Sequence, residues 1–286
     1  MEKVVRKWEV RLRLEFIETR LYWEGRLNRG DLVDFFGVSI IQASKDIGQY
    51  QKIAPGNMVY DKRNKYYSPA ENFEPQIISP CAEAYLDQLR LREKGPLSPL
   101  VDFGGSFPKI NIIPSPFRKI DRAILKRILF SVREQRDIEV QYQSMSRPEP
   151  LWRWITPHAL SFDGQRWHVR SFCHVDSQFK DFLLSRIIAS GSDREQSVTA
   201  KLDSDWQKFV KVKIAPHPDL SSSQKKVIEY DYGMIGGSLE IQLRKASLFY
   251  FLKNLHLESG HEKRKATEQQ IVLLAPNQGL TEATTE

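Results

Sequence analysis

Two groups of side chains in this sequence have the types and spacing to hold a partner. The first is Ser39-Ile40-Ile41-Gln42-Ala43-Ser44-Lys45, directly after Phe36-Gly37-Val38. Ser39 suits a helix N-cap, where its hydroxyl accepts from the free N–H groups of the first turn. Ala43, Ile47 and Tyr50 recur at i, i+4 and i+7 and so share one inward face. Ile40, Ile41, Gln42, Ser44 and Lys45 are left on or near the outer face. In a helix-turn-helix the first turns of the second helix enter the major groove. There Gln42 suits an adenine edge, Lys45 a guanine or phosphate, and Ile40 or Ile41 a thymine methyl. Lys62 and Arg63, at a polar turn between two short β-like runs, are placed to meet phosphate or the minor groove.

The second group is Tyr142, Ser144, His158, His168, Arg170 and Arg186. Arg166-Trp167-His168-Val169-Arg170 alternates, so on a strand His168 and Arg170 share one face while Trp167 and Val169 share the other. One face is apolar and belongs to a core. The other offers a guanidinium and an imidazole. With the rest of the group it makes a set of donors beside an aromatic wall, which suits phosphates and a stacked base.

Other chemistry lacks its residues. Cys173-His174 has no further ligands at metal spacing, and Cys81 stands alone after Pro80. There is no Gly-Lys-Ser/Thr phosphate loop and no Gly-x-Ser-x-Gly elbow, and the six histidines are scattered. A nuclease or nucleotide hydrolase needs clustered carboxylates for a metal, and Asp and Glu are dispersed here. The expectation is a protein that is not an enzyme and carries no cofactor or metal. Two cysteines exclude a disulfide scaffold and point to a reduced cytoplasm. The charged start lacks a signal-peptide core, and no window is apolar enough for a membrane span. The net charge of +7 permits a polyanionic partner but forms no polybasic tail.

The elements that must position these groups follow from spacing. At 286 residues, two or three domains are expected. Residues 3–24 repeat apolar groups at helical intervals up to Gly25, and Leu32–Phe36 forms a short helix closed by Gly37. A second helix runs from Ser39 to Ile53. Met58–Tyr60 and Lys65–Tyr67 form a hairpin, and residues 80–94 are helical again. The Pro/Gly/Ser-rich stretch 96–119 is a linker or crossover. Ile120–Arg133 is helical, and Ile138–Ile188 is β-like with a hairpin turn at Asp163-Gly164. The last part reads as strands at Val210–Ile214, Lys226–Tyr232 and Ser238–Leu243, a helix at Ala246–Leu255, a strand at Ile271–Leu274 and a polar, frayed end. The apolar run Leu248–Leu252 is assigned to core or to pairing of two copies.

Helix, short helix, Gly-Val-Ser, helix, hairpin over about residues 5–68 resembles the DeoR-like winged helix-turn-helix of bacterial repressors. The chain departs from that pattern at Ile40, Ile41 and Ser44, where arginine is usual. Ile138–Tyr142, Ile155-Thr156-Pro157-His158-Ala159-Leu160, Gly164–Cys173 and Phe182–Ile187 resemble the WYL domain, an Sm-like small β-barrel. His168 stands in that signature's Tyr place and Val169 in its Leu place. The C-terminal order resembles the WCX extension that follows WYL domains. In sequence these three resemble the BrxR/CapW regulators encoded beside bacterial phage-defence systems, BREX and CBASS. The resemblance implies an α+β protein: a winged helix-turn-helix over 1–95, the linker, a WYL sensing domain over 120–200 and an α/β dimerisation domain over 201–286. It further implies a homodimeric repressor of a defence operon. Such a repressor binds an inverted-repeat double-stranded DNA operator and is released by a nucleotide or oligonucleotide ligand. The alternatives are an activator or RNA-binding regulator on the same scaffold and, from another class, a nucleic-acid-processing enzyme.

Overall fold

The computed structural model describes residues 2–93, 109–113, 116, 118–274 and 280–283. The chain divides into two compact units, residues 1–115 and 116–286. Most of the expected linker lies outside the described residues.

In the first unit, α1 (Glu2–Thr19) runs into one π turn, Arg20–Glu24, closed by Gly25 at φ +68°. Asn28 and Asp31 cap α2 (Arg29–Phe36) reciprocally, side chain to backbone in both directions. Gly37, at φ +66°, donates its N–H to the Val33 carbonyl and turns the chain into α3 (Ile40–Ile53). A side chain at that φ is disfavoured, which accounts for glycine at this corner. Strands β1 (Met58–Asp61) and β2 (Tyr66–Pro69) form the antiparallel hairpin, and α4 (Ala82–Glu93) follows. Leu14, Phe16, Ile17, Leu21, Leu32, Ala43, Ile47 and Tyr50 build one core, as the helical spacing requires. Glu18 is buried but fully engaged. It accepts from the backbone N–H groups of Gln76, Ile77 and Ile78 and from the Tyr50 hydroxyl.

The second unit opens with α5 (Arg122–Arg133), whose N-terminal N–H groups are capped by Asp121. Five strands follow: β3 (Arg136–Tyr142), β4 (Leu151–Phe162), β5 (Trp167–Cys173), β6 (Gln178–Leu183) and β7 (Ile187–Glu195). They form one antiparallel sheet in the order β6-β5-β4-β3-β7, with α5 packed on it. The expected small barrel does not close, because β6 and β7 are both edges. Only the three-residue 3-10 turn Leu184–Arg186 separates them, so the sheet curls until its edges meet at that corner. Beyond the corner, β7 follows β3, with two register shifts, instead of pairing with β6.

The short helix α6 (Ser204–Gln207) leads into β8 (Phe209–Pro216), the centre of a second antiparallel sheet. Next come α7 (Ser222–Asp231), β9 (Leu239–Arg244), α8 (Leu248–Asn254), β10 (Ile271–Leu273) and β11 (Leu280–Ala283). β9 lies on one side of β8, and β10 and β11 lie end to end on the other.

Two expectations fail here. Lys226–Tyr232 is helical, not extended. Ser221 and Gln224 form a capping box, and Ile228 is the face that is buried. The polar end does not simply fray, since Leu280–Ala283 pairs with Phe209–Val212. Of the two readings of the run Leu248–Leu252, core is the one that most of its residues follow. Leu248, Phe251 and Leu252 pack on the core of Val212, Ile214, Ile228 and Leu257, and Phe249 alone is mainly exposed. Among the described residues, no helix is long and apolar enough to cross a membrane.

Candidate nucleic-acid interface and sensing site

The eight residues expected at a DNA surface play three different parts. Ser39 is the N-cap of α3, accepting from the Gln42 N–H at 3.1 Å. Ile40 and Ile41 are 61% and 70% exposed on the first turn, and Lys45 is exposed one turn later. Two isoleucines left in water at a helix start have no folding reason to be there, and they suit methyl groups on a groove floor. Gln42 and Ser44 are tied to the protein. The Gln42 Nε2 donates to Asp46 Oδ1 at 2.9 Å, and Ser44 Oγ donates to the Ile40 carbonyl at 2.9 Å while Arg29 approaches it at 3.4 Å. Gln42 is half-buried, so the expectation that its side chain is free is corrected. Lys62 and Arg63 stand exposed at the hairpin tip. Asp61 shapes that tip by accepting from the Arg63 and Asn64 N–H groups and from Asn64 Nδ2. These bonds hold the Asp61 carboxyl below the usual range.

The six residues expected at a ligand site fall into two clusters. His158, His168 and Arg170 do converge, but on carboxylates, and all are buried or nearly so. Arg170 Nε and Nη2 bind Asp203 Oδ2 and Oδ1 at 2.7 and 2.9 Å, with Asp181 Oδ1 3.6 Å from Nη1. His158 Nε2 lies 3.0 Å from the same Asp203. His168 Nε2 lies 2.9 Å from Asp163, and its ring centre is 4.9 Å from that of Tyr250. The Tyr250 hydroxyl donates to Asp181 Oδ2 at 3.2 Å. Burial alone would raise the Asp203 carboxyl, but the Arg170, His158 and Trp206 hydrogen bonds outweigh it and hold it low. At Asp181 burial wins over Arg170, and its carboxyl is pushed up. Burial also lowers the His158 imidazole against the pull of Asp203, which favours the neutral ring. The strand alternation placed His168 and Arg170 on one face correctly. What covers that face is α8 and the Asp203 turn, not solvent.

Tyr142, Ser144 and Arg186 form the other cluster, at the corner where the sheet edges meet. The Tyr142 hydroxyl accepts from the Leu183 N–H at 3.3 Å, and Gln143 N–H donates to the Arg186 carbonyl at 3.1 Å. Ser144 Oγ is 2.9 Å from Ser146 Oγ. Among the described residues the half-exposed Arg186 guanidinium has no hydrogen bond or ion pair.

Sequence reasoning missed Arg153. Its guanidinium is buried over the rings of Tyr142 and Phe182, at 5.5 and 5.7 Å. Nη1 reaches Cys173 Sγ at 3.8 Å and Asp176 Oδ2 at 3.5 Å, while Nε and Nη2 have no hydrogen-bond partner among the described residues. Orphaned buried donors are costly, at roughly 1–3 kcal/mol each. The signal was present: Leu151, Arg153 and Ile155 alternate on β4, and Ile155 is core, so Arg153 had to point inward. Asp176 is held below the usual carboxylate range by Lys180 and the Cys173 thiol, with Arg153 adding to them. Arg147 also approaches Asp176, at 3.7 Å. Arg147, Arg153 and Lys180 thus gather around the Asp176 carboxylate, with Arg153 lying over the aromatic wall of Tyr142 and Phe182.

A winged helix, a curled five-stranded sheet with a cationic corner and a small α/β layer together define a winged-helix regulator of the WYL type. Family models match in the same order. The BrxR transcriptional regulator winged helix-turn-helix domain matches residues 9–91, the WYL domain 123–190, and the BrxR transcriptional regulator C-terminal dimerisation domain 209–279. Three relatives bear the name DNA-binding transcriptional repressor CapW. Those from Stenotrophomonas maltophilia and Pseudomonas aeruginosa are 39% and 40% identical over 268 and 270 residues. They align with 93% of this chain and with 90% and 89% of their own lengths. The relative from Escherichia coli strain KTE188 is 37% identical over 270 residues, covering 93% of this chain and 89% of its own. The chain belongs to the CapW family. Among solved structures, proteasome accessory factor B/C of Arthrobacter aurescens aligns with 87% of this chain and 43% of its own. At 16% identity and a TM-score of 0.27, it bears no weight here.

Proposed function

We propose that the protein is a homodimeric repressor that binds an inverted-repeat DNA operator through α3 and the β1–β2 wing. The observation that carries this reading is the exposed Ile40, Ile41 and Lys45 on the first turns of a capped helix, beside a wing bearing Lys62 and Arg63. The relatives' shared name supports it. Two copies double the set of base contacts, and an operator with two-fold symmetry mirrors them. The three domains are bounded near residues 95, 120 and 200. Control of a phage-defence operon of the BREX or CBASS kind rests on the likeness to regulators of those systems. Footprinting on DNA upstream of the protein's own gene tests the reading, with protection of an inverted repeat as the expected result. Lys45→Ala should weaken that binding by about 1–3 kcal/mol without changing thermal stability. Wild-type operator affinity in this variant would remove α3 from the interface.

The ligand is an anionic nucleotide or short single strand. It binds at the corner of Tyr142, Ser144 and Arg186, with Arg153 beneath. The orphaned Arg153 donors and the unpaired Arg186 support this placement. The Arg170 guanidinium and the Nε2 atoms of His158 and His168 are engaged by Asp203 and Asp163, so these three residues are not placed in direct contact with the ligand. Arginine favours phosphate because its planar fork stays charged and binds in a bidentate manner. In calorimetry with mixed dinucleotides and short DNA single strands, Arg186→Ala should weaken binding at least about tenfold and reduce its salt dependence. Equal binding with an equal salt slope would place the ligand elsewhere.

A further inference from the structure

The outer stripe of α7 carries apolar groups left exposed among the described residues. Val227 is 57% exposed and Tyr230 87%. The loop beyond lies back on the helix end, where the Met234 N–H bonds the Glu229 carbonyl, and it presents Ile235 at 89% exposed. Single exposed apolar side chains are ordinary, but two on one face of a short helix with a third on the loop that folds back on its end are not. Ile228 is buried on the opposite face, so the helix is anchored and the stripe must point outward.

We propose that this stripe is where two copies of the chain meet, with the α7 helices antiparallel across a two-fold axis. The inference rests on the homodimer reading above and names its contact face. The argument is charge complementarity in register. When a two-fold axis crosses a helix, positions equally far from the axis on either side face each other in the two copies. The register that sets Val227 against Tyr230 of the second copy centres the axis between Ile228 and Glu229. That same register sets Lys226 against Asp231. Both charges are exposed on the same stripe, and neither has a hydrogen bond or ion pair among the described residues. One operation therefore buries the apolar pair at the centre and closes an opposite-charge pair at each end. The stripe lies within residues 209–279, the span matched by the family's C-terminal dimerisation domain.

Sedimentation of the full-length protein over a concentration series tests this. The wild type should dimerise. Lys226→Asp sets Asp against Asp at both ends of the contact, and Asp231→Lys sets Lys against Lys. Each should raise the dimer dissociation constant at least about tenfold, because like charges are juxtaposed twice. Both positions are solvent-exposed, so the monomer fold is unaffected. The combined variant, Lys226→Asp with Asp231→Lys, should restore dimerisation toward the wild-type value. A wild-type dimer whose single variants keep the same constant overturns this face while leaving the homodimer standing. Single variants that weaken with no recovery in the combined variant overturn the register. A wild type that stays monomeric overturns the homodimer itself, and the face with it.

Discussion

Replacing Arg170 by alanine should lower the unfolding free energy of the second unit by about 3–5 kcal/mol. The reason is what would be left behind. Asp203 is buried, with His158 as its remaining side-chain partner, and Asp181, already pushed up by burial, would lose its nearby cation. An abandoned buried carboxylate costs far more than an intact pair contributes. An exposed pair in the same unit gives the contrast. Lys211 and Glu240 lie 2.9 Å apart, but both are well solvated, so Lys211→Ala should change stability by at most about 1 kcal/mol. Urea unfolding with an unchanged slope checks both variants. A loss below about 1 kcal/mol for Arg170→Ala would show that water reaches Asp203 and that the cluster is not a structural hub.

Asp46→Ala should be comparably damaging in the first unit, at about 3–5 kcal/mol. Asp46 is buried within α3. Its Oδ2 accepts from Arg13 Nε at 2.6 Å and its Oδ1 from Gln42 Nε2 at 2.9 Å. The pair fixes α3 on α1, and through Gln42 it reaches the helix turn expected at the groove. For a chain of this size the melting midpoint of that unit should fall by on the order of 10 °C. Lys45→Ala, one residue away and exposed, should not move it. The two neighbours thus separate a residue that holds the helix from one proposed to touch DNA. Equal midpoints for Asp46→Ala and wild type would overturn the role given to this network.

The winged helix was legible because local rules governed it. Gly37, Ser39 and the spacing of Ala43, Ile47 and Tyr50 each fix α3 without knowledge of the rest of the chain. In α7 two local patterns competed. Val227-Ile228 with Tyr230 reads as an apolar run for a strand, while the Ser221–Gln224 capping box that starts the helix lies just upstream. The polar face of β5 was placed correctly by alternation, yet its meaning depended on Asp203, 33 residues further on, which spacing cannot reveal. Arg153 was hidden for the opposite reason. It sits where an apolar residue belongs, and a search for exposed donors passes over it. The unclosed sheet followed from the register of β7 on β3, a property of pairing and not of composition.

The grip of α8 on the neighbouring sheet bears on how such regulators can be recombined. Tyr250 holds Asp181, Asn254 donates to the Asp163 carbonyl, and Arg170 holds Asp203 at the junction. A chimera joined near residue 201 would pair a sheet from one parent with a C-terminal layer from another and break these contacts together. A crossover between the two compact units, near residue 115, leaves every one of them inherited from a single parent. New operator specificities should therefore be exchangeable by grafting residues 1–115, whereas the sheet and the C-terminal layer must travel as one heritable block.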